Sequence, residues 1–561
     1  MSVKTIFGID LGTTYSCIAY VDEHGQAVVV ANKEGEQTTP SVVFFENADN
    51  VVVGKHAKDM IRTDADRVVS KVKREMGNPD WHFKIHDKEY RPEDISALIL
   101  KKIVDDASKV TGRAIEEVVI TCPAYFGLAQ KKATELAGEI AGLKVRYVIP
   151  EPTAAAIAYG AAQGESDTVL VFDLGGGTFD VTVIDIQKKA LTVLTTDGDA
   201  ELGGHNWDTE VAQYLAQKVA EEIGDSVESV ISDKQFYAEL LLKAEDMKKS
   251  LSSAKIAKEP LFYGGSRIRG EISKEDFDNV TRQWLDRTVS ITKTVLDRVA
   301  ANPSMRAPTK ILLVGGSTYM PQVQERLAQE FPNLELKQQD PNQIVAKGAA
   351  IFGLKMVLED KAIEIINEQA PTGKTVDNMD SVSQSDRASA FAKAGESYGL
   401  ASNAAIELGT QTVGNVTSRS FGLQVYIEQL KEMRIANLVH VDDSVPLNVT
   451  KTFGTMENNQ TSVSIVIFEN EMRTTDAEKE NLVEEVSCKR LAEAQLDLGA
   501  PYPKGSPIDV SFKLSADGLL DILARHTHTG KEVEVHLKVE GAMSAEEVAK
   551  SKSHVAGLAV S

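Results

Sequence analysis

The sequence predicts a mixed α/β protein in two parts: a pair of related strand-and-helix lobes over residues 1–358, then a β-sandwich over 411–543. Three observations predict it. Up to about residue 358, strand-like apolar runs alternate with segments of helical i, i+3, i+4 spacing, the pattern of layered α/β structure. One phrase occurs twice, as GIDLGTTYS at 8–16 and as VFDLGGGTFD at 171–180. From about residue 411 the apolar period changes to two, with turn clusters between short runs.

A chain of 561 residues is too long for one hydrophobic core, so several domains are expected. With 42 % hydrophobic and 26 % charged residues, the composition is that of a globular protein. A net charge of -22 argues against nucleic acid as a main partner, because a phosphate backbone calls for clustered Lys and Arg. The three cysteines, Cys17, Cys122 and Cys488, lie far apart without C-x-x-C spacing, which argues against a disulfide framework or a zinc site. The opening MSVKTIFGIDLG carries an Asp inside its apolar run, unlike a secretory signal, and no apolar stretch has the length of a membrane span. A reducing cytoplasm and no membrane partner are the expectation.

In chain order, the predicted strands of the first part are KTIFGID, QAVVVAN, SVVFF, EEVVITCP, TVLVFDL, VTVIDI, LTVLTT and KILLVGG. Among the predicted helices are ISALILKKIVDDASKV, AQKKATELAGEIAGL, TAAAIAYGAAQ, DTEVAQYLAQKVAEEI, FYAELLLKAEDMKKSL and MPQVQERLAQEF. Residues 359–410 are expected to be a flexible spacer. The stretch Pro371–Ala405 is poor in large apolar side chains and cannot bury enough surface to offset its ordering entropy, with at most a short helix around DRASAFAKA. FGLQVYIEQ, IANLVHV, LNVTKTFGT, TSVSIVIFEN, EEVSCKRLAEAQL, IDVSFKLSADGLLDILARH and KEVEVHLKVEG then read as sandwich strands. The tail, 544–561, opens with a capping box, Ser544 with Glu547, and then runs out.

The repeated phrase has a mechanical meaning. Glycines after a strand-end Asp let consecutive backbone N–H groups converge on an anion, Thr hydroxyls add donors, and the Asp offers a hard oxygen where a magnesium ion accompanies phosphate. Two copies in the same order suggest a duplicated lobe, each gripping one side of a polyphosphate. Neither is a Walker A loop, since no Gly-Lys-Ser/Thr follows. A third glycine turn, LLVGGSTYM, ends another apolar strand. In KAEDMKKSLSS, Glu245, Lys248, Lys249 and Ser252 share one helix face; read from spacing alone, that face is a solvated charged surface.

Together, GIDLGTTYSCIAY, PAYF, EPTAAAIAYG, VFDLGGGTFDVTV, LGG at 202–204, KKSLSS, LVGGST and VAKGAA resemble the seventy-kilodalton heat-shock chaperone family, within the actin-like (ribonuclease-H-like) ATPase superfamily. A looser, collinear resemblance continues through VTSRSFGLQV, NQTSVSIVIFENE and GKEVEVHLKV. The resemblance implies ATP/ADP and Mg2+ as ligands, with Asp10 and Asp173 holding a hydrated Mg2+. It implies phosphate contacts from Gly12, Thr13, Thr14, Tyr15, Gly175, Gly176, Gly177 and Thr178, near Gly203 and Gly204. Lys73 would reach the γ-phosphate, Glu151 would position the attacking water, and Asp180 would support the site. Asp173 and Thr178 join Lys73 and Glu151 as catalytic candidates. The nucleoside would meet Glu245, Lys248, Lys249, Ser252, Gly315, Gly316, Ser317, Tyr319 and Asn342. Leu423, Tyr426, Phe453, Val463 and Ile465 match the family's groove for extended apolar peptide; as residues alone, they equally well fill a sandwich core. A J-domain co-chaperone and a nucleotide exchange factor are implied as partners.

Departures from the family pattern are also legible. Thr412, Val413 and Gly414 stand where the interdomain linker has leucines, and Asn415 where it has an acid, so linker docking is expected to lose most of its buried area. The tail offers a helix or so where the family's helical lid begins. Tyr319 replaces an Arg, and Asn342 an Asp, beside the nucleoside. Two readings follow: an atypical ATP-dependent chaperone with slow hydrolysis, or a nucleotide-binding regulatory partner whose β domain makes a fixed protein contact. A sugar or acetate kinase of the same superfamily is disfavoured by the β-rich C-terminal half.

Overall fold

The computed structural model describes residues 5–163, 166–369, 375–379, 381–470, 482–515, 520–535 and 543–561. In the first lobe, β1 (Phe7–Asp10), β2 (Tyr15–Val21), β3 (Ala27–Val29), β4 (Glu117–Cys122) and β5 (Lys144–Pro150) order as β5-β4-β1-β2-β3. The second lobe repeats the plan with β6 (Asp167–Leu174), β7 (Phe179–Gln187), β8 (Ala190–Asp199), β9 (Lys310–Val314) and β10 (Glu335–Gln338), in the order β10-β9-β6-β7-β8. The repetition extends to register. The first strand of each lobe is antiparallel to its successor, Asp10 opposite Cys17 and Asp173 opposite Asp180, and each is parallel to a later strand on its other side, β4 or β9. Both strands therefore deliver an Asp and a glycine turn at the same edge of their sheets.

Helices α1 (Lys55–Asp64), α2 (Pro92–Thr111) and α3 (Leu128–Ile140) belong to the first lobe, and α5 (Gly204–Ile223), α6 (Lys234–Ser250) and α7 (Arg282–Ala301) to the second. Between the two sheets run α4 (Glu151–Gln163) and α8 (Ile344–Gln369), packed on each other. Their small residues have a steric purpose. A Cβ on Gly348 would fall 1.7 Å from the Ala154 carbonyl oxygen, and one on Gly8 would fall 2.2 Å from the Ala350 nitrogen. The alanine and glycine runs EPTAAAIAYG and VAKGAA thus allow helix to lie on helix, and strand on helix, at backbone distance. The buried alanines 154–156 join a central core with Ile6, Val169, Val314 and Leu358.

Residues 359–410 are not a spacer throughout. α8 continues to Gln369, and two further helices follow, α9 (Gln384–Ser397) and α10 (Ser402–Gly409). α9 is capped by Ser383, whose Oγ accepts from the Asp386 amide at 3.2 Å. Its Ala390, Phe391 and Ala394 are buried in the central core, with Leu400 and Ala405. A segment too poor in apolar residues to build a core needs only one Phe and a few alanines to join an existing one. Residues 370–374 and 380 lie outside the described residues.

The linker also departs from expectation. Thr412–Val416 forms β11, a strand parallel to β8 at the edge of the second lobe's sheet, with the Thr412 amide donating to the Lys189 carbonyl at 2.8 Å. Docking proceeds through the backbone, so it does not require leucines. The sandwich comprises β12 (Ser420–Ile427), β13 (Glu432–Val439), β14 (Ser444–Val445), β15 (Leu447–Gly454), β16 (Gln460–Asn470), β17 (Leu482–Val483), β18 (Cys488–Tyr502), β19 (Pro507–Leu514), β20 (Leu520–His526) and β21 (Glu532–Val535). Its sheets order as β17-β13-β12-β16-β18 and β15-β19-β20-β21, around a core of Phe421, Ile467, Leu496, Val510 and Phe512. The last expected strand, KEVEVHLKVEG, is described as far as Val535. β14 pairs with β11, so the second lobe's sheet runs on into the sandwich.

The tail forms α11 (Ala545–Gly557) and β22 (Ala559–Val560). The capping box is present: the Ser544 amide donates to Glu547 Oε2 at 2.7 Å and the Glu547 amide to Ser544 Oγ at 3.3 Å. Rather than running out, the tail packs on the first lobe. Val555 and Leu558 are buried there, Arg91 pairs with Glu547 at 3.0 Å, and β22 pairs with Asn50–Val53. Replacing Thr412 with proline removes the amide that opens β11, at a cost of about 1–3 kcal/mol. The expected result is faster proteolytic cleavage within 410–418 under native conditions; cleavage at the wild-type rate would show that the strand pairing does not hold the linker.

Candidate functional site

The two glycine turns face each other across a cleft of about 580 Å³. They touch: a Cβ on Gly176 would meet Thr14 Oγ1 at 1.8 Å, and one on Gly177 would meet Thr13 Cγ2 at 2.4 Å. Only glycine permits this approach, which brings both sets of backbone N–H groups to one point. Each turn is held from behind. The Gly12 amide donates to Ser16 Oγ at 3.1 Å, and Ser41 Oγ donates to the Gly12 carbonyl at 2.8 Å. At the second turn, the amides of Gly204 and His205 donate to the carbonyls of Gly175 and Gly176, and Ser317 Oγ donates to Gly175 at 2.8 Å.

On the cleft floor lie Asp10, Glu151 and Asp173, with Asp180 buried behind them. One ammonium, Lys73, is buried among them and pairs with Glu151. Thr121 Oγ1 donates to Asp10 at 3.2 Å, and the Tyr125 amide donates to Asp180 at 3.1 Å. Burial, then repulsion from Glu151, pushes Asp10 up to about 7 and Asp180 up to about 8. Asp173 is raised well above the carboxylate range by burial and by the same neighbours. Burial works against the charged form of Lys73, but Glu151 and Asp10 outweigh it and hold the ammonium protonated. The floor therefore holds more carboxyl groups than its own cation can neutralise, and without a further cation they retain protons. Among the described residues no group of three His, Cys, Asp or Glu is placed to hold a bare metal ion. Two proton-hungry carboxylates on facing strand ends suit a hard cation that keeps its water shell.

The mouth of the cleft is built by α6 and the third glycine turn. Glu245, Lys248, Lys249 and Ser252 line it with Gly315, Gly316, Ser317, Tyr319 and Asn342. The face read as solvated is so only in part: Lys249 and Ser252 are exposed, but Glu245 is buried and pairs at 2.6 Å with both Lys249 and Lys58, the latter from α1 of the opposite lobe. Burial opposes its charge, yet Lys58, Lys249 and Lys248 together hold Glu245 down at about 2. Lys58 and Lys249 also reach the Tyr15 hydroxyl, at 3.2 and 2.9 Å. Asn342 Oδ1 lies 3.0 Å from where a Gly316 Cβ would stand.

Of the residues singled out from sequence, Asp10, Gly12, Thr13, Thr14, Tyr15, Lys73, Glu151, Asp173, Gly175, Gly176 and Thr178 line the cleft with the mouth residues above. Gly177, Asp180, Gly203 and Gly204 stand behind it. Gly203 packs on the second turn, where its Cβ would lie 2.5 Å from the Gly177 nitrogen. Sequence reasoning missed Lys58, Asp208, Thr38 and Thr121. Asp208, which pairs with Lys248 at 2.6 Å, had one signal: it lies one turn after LGG at the start of α5. Lys58 had none, because α1 reads as an ordinary polar helix.

The five sandwich candidates divide. Leu423 and Ile465 are 4 % and 2 % exposed and fill the sandwich core; Phe453 and Val463 pack partly buried against it; Tyr426 is 42 % exposed.

The Hsp70 protein family model matches residues 6–365 and 395–558. The chain belongs to the Hsp70 family. Chaperone protein DnaK of Halobacterium salinarum (strain ATCC 29341 / DSM 671 / R1) is 32 % identical to it over 555 residues, covering 98 % of this chain and 77 % of DnaK. This Hsp70 is thus a member of a chaperone family whose members are ATPases that bind ATP and ADP with Mg2+. The family match passes over 366–394, where α9 begins. Among the described residues no helix of this Hsp70 is long and apolar enough to cross a membrane.

The raised carboxylates set a pH dependence. Asp180 is protonated in the folded chain up to about pH 8 but ionises near 3.8 when unfolded. The folded state then binds the extra proton, so this group's contribution to stability is present at low pH and lost as pH rises through about 8. Asp180→Asn keeps an acceptor for the Tyr125 amide and removes the titration. Between pH 6.5 and 8, the fall in unfolding free energy of the nucleotide-free protein is expected to lessen by about 1 kcal/mol per pH unit. Calorimetric melts at the two pH values check this, and identical slopes would refute the buried, protonated state.

Proposed function

We propose that this Hsp70 is an ATP-dependent chaperone that hydrolyses Mg-ATP slowly in the N-terminal unit, 1–358, and holds extended apolar segments of unfolded proteins on the sandwich, 411–543. The observation that carries the reading is the buried Lys73–Glu151 pair beside Asp10 and Asp173, between two glycine turns that touch. The turns offer N–H donors from Thr13–Tyr15 and Gly176–Thr178 to the β- and γ-phosphates, and the Thr13, Thr14 and Thr178 hydroxyls add to them. Bound through water to Asp10 and Asp173, Mg2+ would supply positive charge against the phosphate oxygens.

Lys73 faces the γ-phosphate position as a fixed ammonium. Glu151, oriented by Lys73, accepts a hydrogen bond from the attacking water and holds it in line. The reaction is phosphoryl transfer to water, and positioning with charge stabilisation carries most of its acceleration. The nucleoside lies at the mouth, between the α6 face and Gly315–Ser317, with Tyr319 offering a ring to the base.

Peptide recognition is assigned to the sandwich because Tyr426, Phe453 and Val463 retain exposed apolar surface along its strands. The same reading carries a J-domain co-chaperone, a nucleotide exchange factor and a cytoplasmic setting.

One route joins the two activities. Tyr125 gives its amide to Asp180 and its carbonyl to Arg419 of the sandwich, at 2.8 Å, while the Arg419 guanidinium lies 4.2 Å over the Tyr125 ring. Glu469 of β16 accepts from the Leu128 amide at 3.3 Å, and Asp442 accepts from Thr195 at 2.9 Å.

Lys73→Ala, Glu151→Ala and Thr178→Ala are expected to bind ATP within several-fold of wild type and to lose at least ~100-fold in single-turnover hydrolysis, the usual worth of a positioned group. Turnover at the wild-type rate in all three would refute the assignment. An unfolded model peptide is expected to raise the wild-type rate. No response, with ATPase intact, would favour the regulatory-partner reading.

A further inference from the structure

The two lobes face each other at two ends. The glycine turns bound the cleft at one end; at the other lies a second crevice, of about 280 Å³. The elements between them run from one to the other. Strand β2 starts at Tyr15 in the cleft and ends at Val21 in the crevice, and β7 runs from beside Thr178 to Ile186. Helix α4 starts at Glu151 in the cleft and places Ile157 and Gly160 in the crevice; α8 does the same with Val345 and Ile351. Packed on each other between the sheets at backbone distance, α4 and α8 form a pivot. About such a pivot, a rotation that widens the cleft narrows the crevice.

The α9–α10 hairpin stands in the way of that narrowing. Helix α10 lies between the β2–β3 turn of the first lobe and the β7–β8 turn of the second. On the first side, Ala404 Cβ is 3.7 Å from where a Gly25 Cβ would stand. On the second, the chain leaving α10 is pinned by the Thr412 amide on the Lys189 carbonyl at 2.8 Å. Ala404 and Leu408 line the crevice from α10. The hairpin is stiff: a Cβ on Gly395 would lie 2.5 Å from Ala405 Cβ, and one on Gly409 would lie 2.2 Å from the Phe391 ring. Phe391 roots it in the central core, and a core packed this closely yields little to compression. Residues 384–394 of the hairpin fall in the stretch that the family match passes over, so this element is a feature of this chain rather than of the family pattern.

We propose that the α9–α10 hairpin is a mechanical stop at the foot of the lobes, which limits how far the cleft opens and thereby slows the escape of bound nucleotide. The crevice beside α10 is the travel that the lobes have before Leu408 and Ala404 halt them. The part of the proposal that concerns nucleotide rests on the reading of the cleft given above; the limit on opening does not.

The first measurement needs no nucleotide. Spin labels at His56 of α1 and Ser250 of α6, both exposed, report the width of the mouth; Cys488→Ser leaves the buried Cys17 and Cys122 as the native thiols. In the full chain, Leu408→Ala trims the stop and is expected to add longer label distances than the wild type shows. The second measurement is release of a fluorescent ADP analogue, expected to be several-fold faster in Leu408→Ala. It is expected to be several-fold slower in oxidised Gly25→Cys/Ala404→Cys than in the same protein reduced, since the 3.7 Å between the two Cβ positions suits a disulfide. Gly25→Cys alone controls for the left-handed backbone at Gly25, φ 79°. Wild-type distances in Leu408→Ala, equal release from the oxidised and reduced forms, or failure of the disulfide to form would each overturn the proposal. So would a lowered melting temperature in Leu408→Ala with distances and release unchanged, which would make the hairpin packing alone. If the distances lengthen but no adenine nucleotide binds, the nucleotide reading fails and the stop stands.

Discussion

Three buried carboxylates, Glu151, Asp173 and Asp180, and the half-buried Asp10 share a single buried ammonium, Lys73, and this imbalance is the constraint around which the N-terminal half is organised. Carboxylates this close and this dry cannot all ionise without a compensating cation. The fold brings them together regardless, by ending one strand of each lobe at an Asp and joining the lobes through helices thin enough to pack at backbone distance. The result is a site that gains most from a ligand bringing positive charge to the floor and negative charge to the surrounding amides. A magnesium-bound polyphosphate does both.

The parts legible in the sequence were those whose chemistry is local. A strand-end Asp followed by glycines has the same meaning wherever it stands, so the duplicated lobes and both glycine turns could be read directly. The β-sandwich was legible from its period. Illegible were residues whose role depends on which way a polar helix turns. Glu245 and Lys58 look like surface charges until α1 and α6 are set opposite each other across the cleft. The 384–409 helices were hidden for another reason: composition reports whether a segment can make its own core, and this one borrows a core that α8 and α4 have already formed. The sandwich candidates show the limit of alternation. It separates inward from outward positions, yet it cannot say whether an inward side chain meets another strand, as Leu423 does, or open surface.

The contact between the two halves is part apolar, with Leu128 of α3 buried in the sandwich core, and part polar. Tyr125 stands at its centre, with one backbone group on the carboxylate cluster and the other on Arg419 of the sandwich. A change in the charge carried by Asp180 alters the hold on the Tyr125 amide, and any displacement of that loop is delivered to Arg419 with no intervening side chain. The close fit of the Arg419 guanidinium to the Tyr125 ring makes such a displacement costly to absorb locally.

The second lobe's sheet does not stop at the domain boundary. Its central strand carries Asp173, its edge is extended by β11, and the strand after that, β14, already belongs to the sandwich. Hydrogen-bonded ladders resist shear far better than a hinge of free backbone does. The ladder joins the strand that ends at Asp173 to Ser444 and Val445 through peptide groups alone, without regard to which side chains the linker carries. With threonine, valine and glycine at 412–414, the linker still forms a mechanical axle between the two halves.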